Sequence, residues 1–86
     1  MGIDNKYGHV TLERGTVGDD EPVVVFRAQD KLLPKILSIY RFLCEVGGSP
    51  QVHLDLLDKS QAQVLAWQQD HHTQIPRSDG YQETTV

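Results

Sequence analysis

Leu32, Leu33, Ile36, Leu37, Ile39, Tyr40, Leu43, Cys44 and Val46 crowd one short stretch that stops at Gly47-Gly48. Wound on a helix of 3.6 residues per turn, these side chains cover far more than a single stripe. The segment from about Asp30 to Val46 is therefore expected to be the core element. It would touch a sheet on one side and another helix or subunit on the other. The paired glycines supply its stop, because a helix C-terminus readily takes a left-handed residue. Asp30 has the chemistry of an N-cap, but it would place Pro34 at the fourth helical position, where a donor is lost. An irregular or 3₁₀ first turn is expected, with regular helix from near Pro34.

Around that helix the chain offers little else to bury. At 86 residues it forms one domain at most, and a chain of this size buries only about 60% of its unfolded surface. The opening residues 1–6 are weakly patterned and expected to be a flexible N-terminus. Residues 72–86 are polar, with Pro76, Gly80 and the run Gln82-Glu83-Thr84-Thr85, and are expected to form a flexible tail. Residues 7–71 remain as a single α/β domain, of a size that often needs self-association, metal or disulfides. Cys44 is the only cysteine, so no disulfide forms within the chain, and oligomerisation is the expected supplement.

Two strands are expected before the helix. In Tyr7–Glu13, Val10 and Leu12 alternate with His9, Thr11 and Glu13, the two-residue period of a half-buried strand. Val23-Val24-Val25-Phe26 is continuously apolar and β-branched, as in a strand covered on both faces. Gly18-Asp19-Asp20-Glu21-Pro22 separates them as a turn. After the glycines, Ser49-Pro50 reads as N-cap and first residue of a second helix running to about Asp70. Its apolar stripe is Leu54, Leu57, Val64, Leu65 and Trp67. The expected fold class is α+β: a small β-hairpin or two-stranded sheet packed on two helices (ββαα), with oligomerisation to complete it.

The chemistry-bearing residues form few constellations. Arg27, Lys31, Lys35 and Arg41 read as a basic face beside Tyr40, with Ser38 continuing it. Lysines in a first helical turn oppose the macrodipole, and a bound anion would offset that cost; Asp30 works against it by occupying the helix start. The competing reading is a solvated charged stripe. His9, His53, His71 and His72 show no zinc spacing, so no metal or cofactor is expected. Cys44, set among apolar residues, reads as a small core side chain. Ser49, His53 and Asp55 do not make a triad, since Ser49 is a helix cap without a strained elbow. Asp19-Asp20-Glu21 is a turn rather than a catalytic pair. Phe42 and Trp67 are the interface candidates.

Twelve acidic against eight basic residues give a formal net charge of −4, without the basic surplus usual in nucleic-acid binders. No signal-peptide pattern opens the chain and no apolar run is long enough for a membrane span. A cytoplasmic, non-enzymatic protein is expected, with neither membrane nor nucleic acid as partner.

The segment Asp20-Glu21-Pro22-Val23-Val24-Val25-Phe26-Arg27-Ala28-Gln29-Asp30, with Lys31-Leu32-Leu33-Pro34 and the later Ala66-Trp67-Gln68, resembles a group of small uncharacterised proteins encoded by tailed bacteriophages and prophages. That resemblance implies the cytoplasm of a host bacterium. By analogy it also suggests a binding module directed at a host or defence component, one that the small core would make homo-oligomeric. The alternatives are sequestration of a small anionic ligand such as a nucleotide signal, through the Arg27 cluster, and a structural or assembly role in the phage particle.

Overall fold

The computed structural model describes residues 1–76, so most of the expected tail, residues 77–86, lies outside the described residues. The element order is β1 (Gly2–Asp4), β2 (Gly8–Val10), α1 (Leu33–Val46) and α2 (Gln51–Asp70). Two strands form an antiparallel sheet and two helices pack on each other, the ββαα order of an α+β chain. Two compact units carry these elements: Met1–Phe26 and Arg27–Pro76.

In the first unit, the register pairs Gly2 with Val10, Ile3 with His9 and Asp4 with Gly8. β2 lies within the expected first strand. Its partner is not Val23–Phe26 but Gly2–Asp4, from the stretch read as a flexible N-terminus. Asp4 explains the exchange. Its carboxylate is buried and accepts the backbone N–H groups of Lys6 (2.8 Å), Tyr7 (2.7 Å) and Val25 (2.8 Å). The first two close the turn between the strands, and the third anchors the apolar segment. Pairing of that segment with β1 stops after the Ile3 N–H to Glu21 carbonyl bond (3.0 Å) and the Val23 N–H to Ile3 carbonyl bond (2.9 Å). Only an isolated parallel bridge between Ile3 and Pro22 results. Val24, Val25 and Phe26, expected to be covered on both faces, are exposed. Gly2 is required by closeness: a Cβ there would lie 2.7 Å from a Val23 methyl.

The second unit is a helical hairpin. α1 starts at Leu33, not Asp30, with Pro34 in its first turn where a missing donor costs nothing. Asp30 instead shapes the preceding turn: its carboxylate accepts the Leu32 N–H (2.7 Å) and its carbonyl the Leu33 N–H (3.1 Å). At the other end, Gly48 adopts φ +91°. The Ser49 N–H reaches the Cys44 carbonyl (2.9 Å) and the Gly48 N–H that of Glu45 (3.2 Å), the two bonds of a Schellman ending. α2 begins one residue later than the Ser49 cap would set it, and no side chain caps it. Pro50 takes the cap position and offers its carbonyl to His53 and Leu54.

Leu33 and Leu54 are the buried hydrophobic side chains of this unit; Ile36, Leu37, Cys44, Leu57 and Val64 are half-buried. Side-chain amides do much of the remaining joining. The Gln61 amide donates to the Pro34 carbonyl (2.9 Å) and the Ser38 hydroxyl (2.7 Å). The Gln68 amide donates to the carbonyls of Ala28 and Asp30, both at 2.9 Å. Gln74, within the stretch read as tail, is also tied in. Its N–H bonds the Gln29 carbonyl and its carbonyl accepts the Lys31 N–H, each at 2.9 Å.

Two predictions follow from these bonds. The N–H of Tyr7, foremost, and those of Val25 and Lys6 hold the Asp4 carboxyl below its ordinary value of 3.8, against the opposing effect of burial. A lowered folded-state pKa stabilises above the unfolded value and loses that contribution as pH falls through the folded one. Protection of the Lys6, Tyr7 and Val25 amides from exchange, relative to the unfolded chain, should therefore fall below about pH 4, and Asp4→Asn should remove this acid dependence. Gln68→Leu removes both bonds to the 28–30 turn and should lower unfolding free energy by about 1–3 kcal/mol in urea titration.

Candidate functional site

The basic face read from the sequence is dispersed by helix geometry. Lys35 and Arg41 are six positions apart, which sets them about 120° apart around α1. Arg41 turns toward α2, where its Nε donates to the Asp58 carboxylate at 2.6 Å; its guanidinium also lies 3.9 Å from Glu45. The Asp58 bond, foremost, raises the Arg41 pKa. Ser38 is on the same side, bonded to Gln61. Lys35 projects from another side of α1 and is exposed. Lys31 precedes the helix, and Arg27 lies in the extended lead-in, its carbonyl accepting the Asp30 N–H at 2.9 Å. Of these cations, Arg41 is the one engaged across to α2 rather than at the helix start.

Tyr40 is also on α1, with its ring edge-on to His53 at 6.5 Å. Its hydroxyl bonds the thiol of Cys44 one turn on, which pushes the phenol pKa up. Cys44 is half-buried, and its thiol serves a local contact within α1. His71 stacks on Trp67 with ring centroids 3.9 Å apart and planes 2° from parallel, and its Nδ1 is 2.7 Å from the Trp67 carbonyl. The imidazole thereby closes the last turn of α2. Among the described residues, no three His, Cys, Asp or Glu side chains gather where they could hold a metal ion. Among the same residues, no helix is long and apolar enough to cross a membrane.

A shallow cavity of about 250 Å³ in the first unit is lined by Met1, Thr11, Leu12, Gly15, Thr16 and Val17. No titratable side chain lines it, and the Met1 amino group at its edge is paired with Asp19 at 3.2 Å. Its walls offer hydroxyls and methyls without a charge to orient a substrate.

What both units do present is apolar surface. Val24 is 74% exposed, with Phe26 half exposed close by. On α1, Ile39, Phe42, Leu43 and Val46 are 62%, 61%, 58% and 72% exposed. Of the two interface candidates, Phe42 belongs to this α1 group, while Trp67 is partly covered by His71. The sequence showed the width of the α1 apolar surface but not which part stays uncovered. That division depends on where α2 lies, and the polar contacts of Arg41, Gln61 and Gln68 decide it without any local sequence pattern.

Comparison with protein-family models, with curated proteins and with solved structures finds no match. The residues themselves carry the functional argument.

If Arg41 is a structural cation, Arg41→Ala should lower the thermal midpoint more than Lys31→Ala. Its effect should also be non-additive with Asp58→Ala, as a double-mutant cycle in thermal unfolding would reveal.

Proposed function

We propose that this chain is a small, non-enzymatic binding module that captures a protein by occupancy. The observation that carries the reading is the outward placement of its large apolar side chains, Val24 and Phe26 in one unit and the α1 group in the other. Soluble proteins tolerate scattered apolar residues, but contiguous patches of them mark docking surfaces. Binding of this kind needs no nucleophile, no tuned acid or base and no metal. A rigid helix face and an extended apolar segment suffice.

The likeness of Asp20–Asp30 to small phage proteins supplies the setting: a bacterial cytoplasm, with a host or defence component as the captured protein. The alternative of sequestering a small anion draws less support, because Asp58 already occupies Arg41. An assembly role in the phage particle is the alternative that remains if the chain associates only with copies of itself.

Immobilised protein should retain a defined host protein from bacterial lysate. Phe26→Glu or Val24→Glu should reduce that retention at least tenfold while far-ultraviolet circular dichroism keeps its helical signal. Retention untouched by both changes would overturn the reading, as would substrate turnover abolished by a single residue change.

A further inference from the structure

Ile39, Phe42, Leu43 and Val46 stand at i, i+3, i+4 and i+7 on α1, which aligns them in one stripe. The side of α1 that meets α2 is different: there Leu33 is buried, and Leu37, Arg41 and Cys44 are half-buried. The stripe therefore faces away from α2. At its N-terminal end stands Lys35, which no carboxylate pairs among the described residues. At its C-terminal end the last turn of α1 carries no basic residue, so the negative end of the helix dipole lacks a cation there. That turn does carry Glu45, which is exposed and lies 3.9 Å from the Arg41 guanidinium one turn back.

We infer that a second copy of this chain closes the stripe, with α1 packed antiparallel on α1 about a two-fold axis between Ile39 and Leu43. The inference rests on the reading above that exposed apolar surfaces here are docking surfaces, and it names the occupant of one of them. Three arguments select a second copy. The spacing is self-complementary: reversed upon itself, the helix sets Ile39 against Leu43 of the other copy and Ile36 against its Val46, as an isologous interface requires. The charges match in the same register. Lys35 of each copy comes alongside the other's C-terminal turn, where Glu45 and the negative helix end stand. A foreign partner would impose neither match.

Area is the third argument. Four side chains of this size, each more than half exposed, amount to roughly 400 Å² per copy. Pairing two stripes removes about 800 Å² from water. The flanking Lys35, Ile36 and Tyr40 extend this toward the roughly 1,200–2,000 Å² of specific interfaces. α1 would then become the inner layer of a four-helix assembly, which supplies the core that Leu33 and Leu54 alone do not make.

Sedimentation equilibrium of the full chain, across micromolar concentrations, tests this directly. The expected mass is twice the 9.7 kDa of one chain, falling to the single-chain value for Ile39→Glu. Lys35→Glu should weaken association at least tenfold, and Lys35→Glu with Glu45→Lys should recover most of it. To guard against loss of folding, single cysteines are placed in a Cys44→Ser background. Ile39→Cys with Leu43→Cys should oxidise to a linked dimer, and Lys59→Cys on α2 should not. A chain that stays monomeric at all concentrations overturns the inference, even where it still captures a host protein. So does a dimer indifferent to Ile39→Glu and without the 39–43 link. A linked dimer that captures nothing from lysate supports the inference and counts against the capture reading alone.

Discussion

Leu33 and Leu54 sit where the two helices of the hairpin meet, and they are the buried hydrophobic side chains among the described residues. Folding must outweigh a conformational entropy cost of about 1–2 kcal/mol per residue of backbone. Each fully buried leucine returns only about 1.5–3 kcal/mol. The half-buried residues around them add to this, but the enclosed core remains small. Polar contacts consequently set the geometry: Arg41 to Asp58, Gln61 to Pro34 and Ser38, and Gln68 to the carbonyls of the 28–30 turn. Asp4 has the same role in the first unit, where one carboxylate gathers three backbone donors. Such bonds contribute modestly when made and cost more when a partner is left unsatisfied. They specify one arrangement more than they stabilise it.

Regular periodicity and strong stop signals were what the sequence displayed well. Both helices were legible, and so was the irregular start forced by Pro34, because apolar spacing, proline and paired glycines act locally. The strand expected over Tyr7–Glu13 was found only in part: Gly8–Val10 pairs, while Leu12, read as facing inward, is exposed beyond it. The failures share a cause in competition for backbone groups. Val23–Phe26 has the composition of a buried strand, yet Asp4 takes the Val25 N–H and the segment never enters the sheet beyond its bridge at Pro22. Ser49 has the composition of a cap, yet Pro50 holds the cap position of α2. Gly2–Asp4 looked unpatterned because three residues are too few to show a period, and their partners are set by a turn. No local rule weighs one donor's alternatives against another's, so these choices appear only in three dimensions.

The candidate site shows the same division. Composition located basic residues near the start of α1, and linear proximity suggested a shared face. A helix separates positions 35 and 41 by about a third of a turn, and the acid opposite Arg41 lies seventeen residues away in sequence. Phe42 was legible as exposed because it adjoins polar neighbours. Ile39, Leu43 and Val46 were not, since a wide apolar surface does not say which part of it a neighbour will cover. α2 covers one side only, and its own apolar content is too sparse to cover more.

An isolated hairpin with so wide an apolar helix would be a poor design for a monomer, and the acidic balance alone does not offset it. Net charge of −4 adds a weak general repulsion between copies that falls off within about 8–10 Å of solution at physiological salt. Contact between two α1 stripes acts inside that distance, and the placement of Lys35 and Glu45 turns the local electrostatics from repulsive to attractive in one register only. Solubility and specific association are therefore compatible here. The long-range term keeps random encounters apart, and the short-range term rewards a single geometry. Val24 and Phe26 belong to the other unit, where they are exposed, and under the proposed capture reading they are the surface offered to a partner that is not a copy.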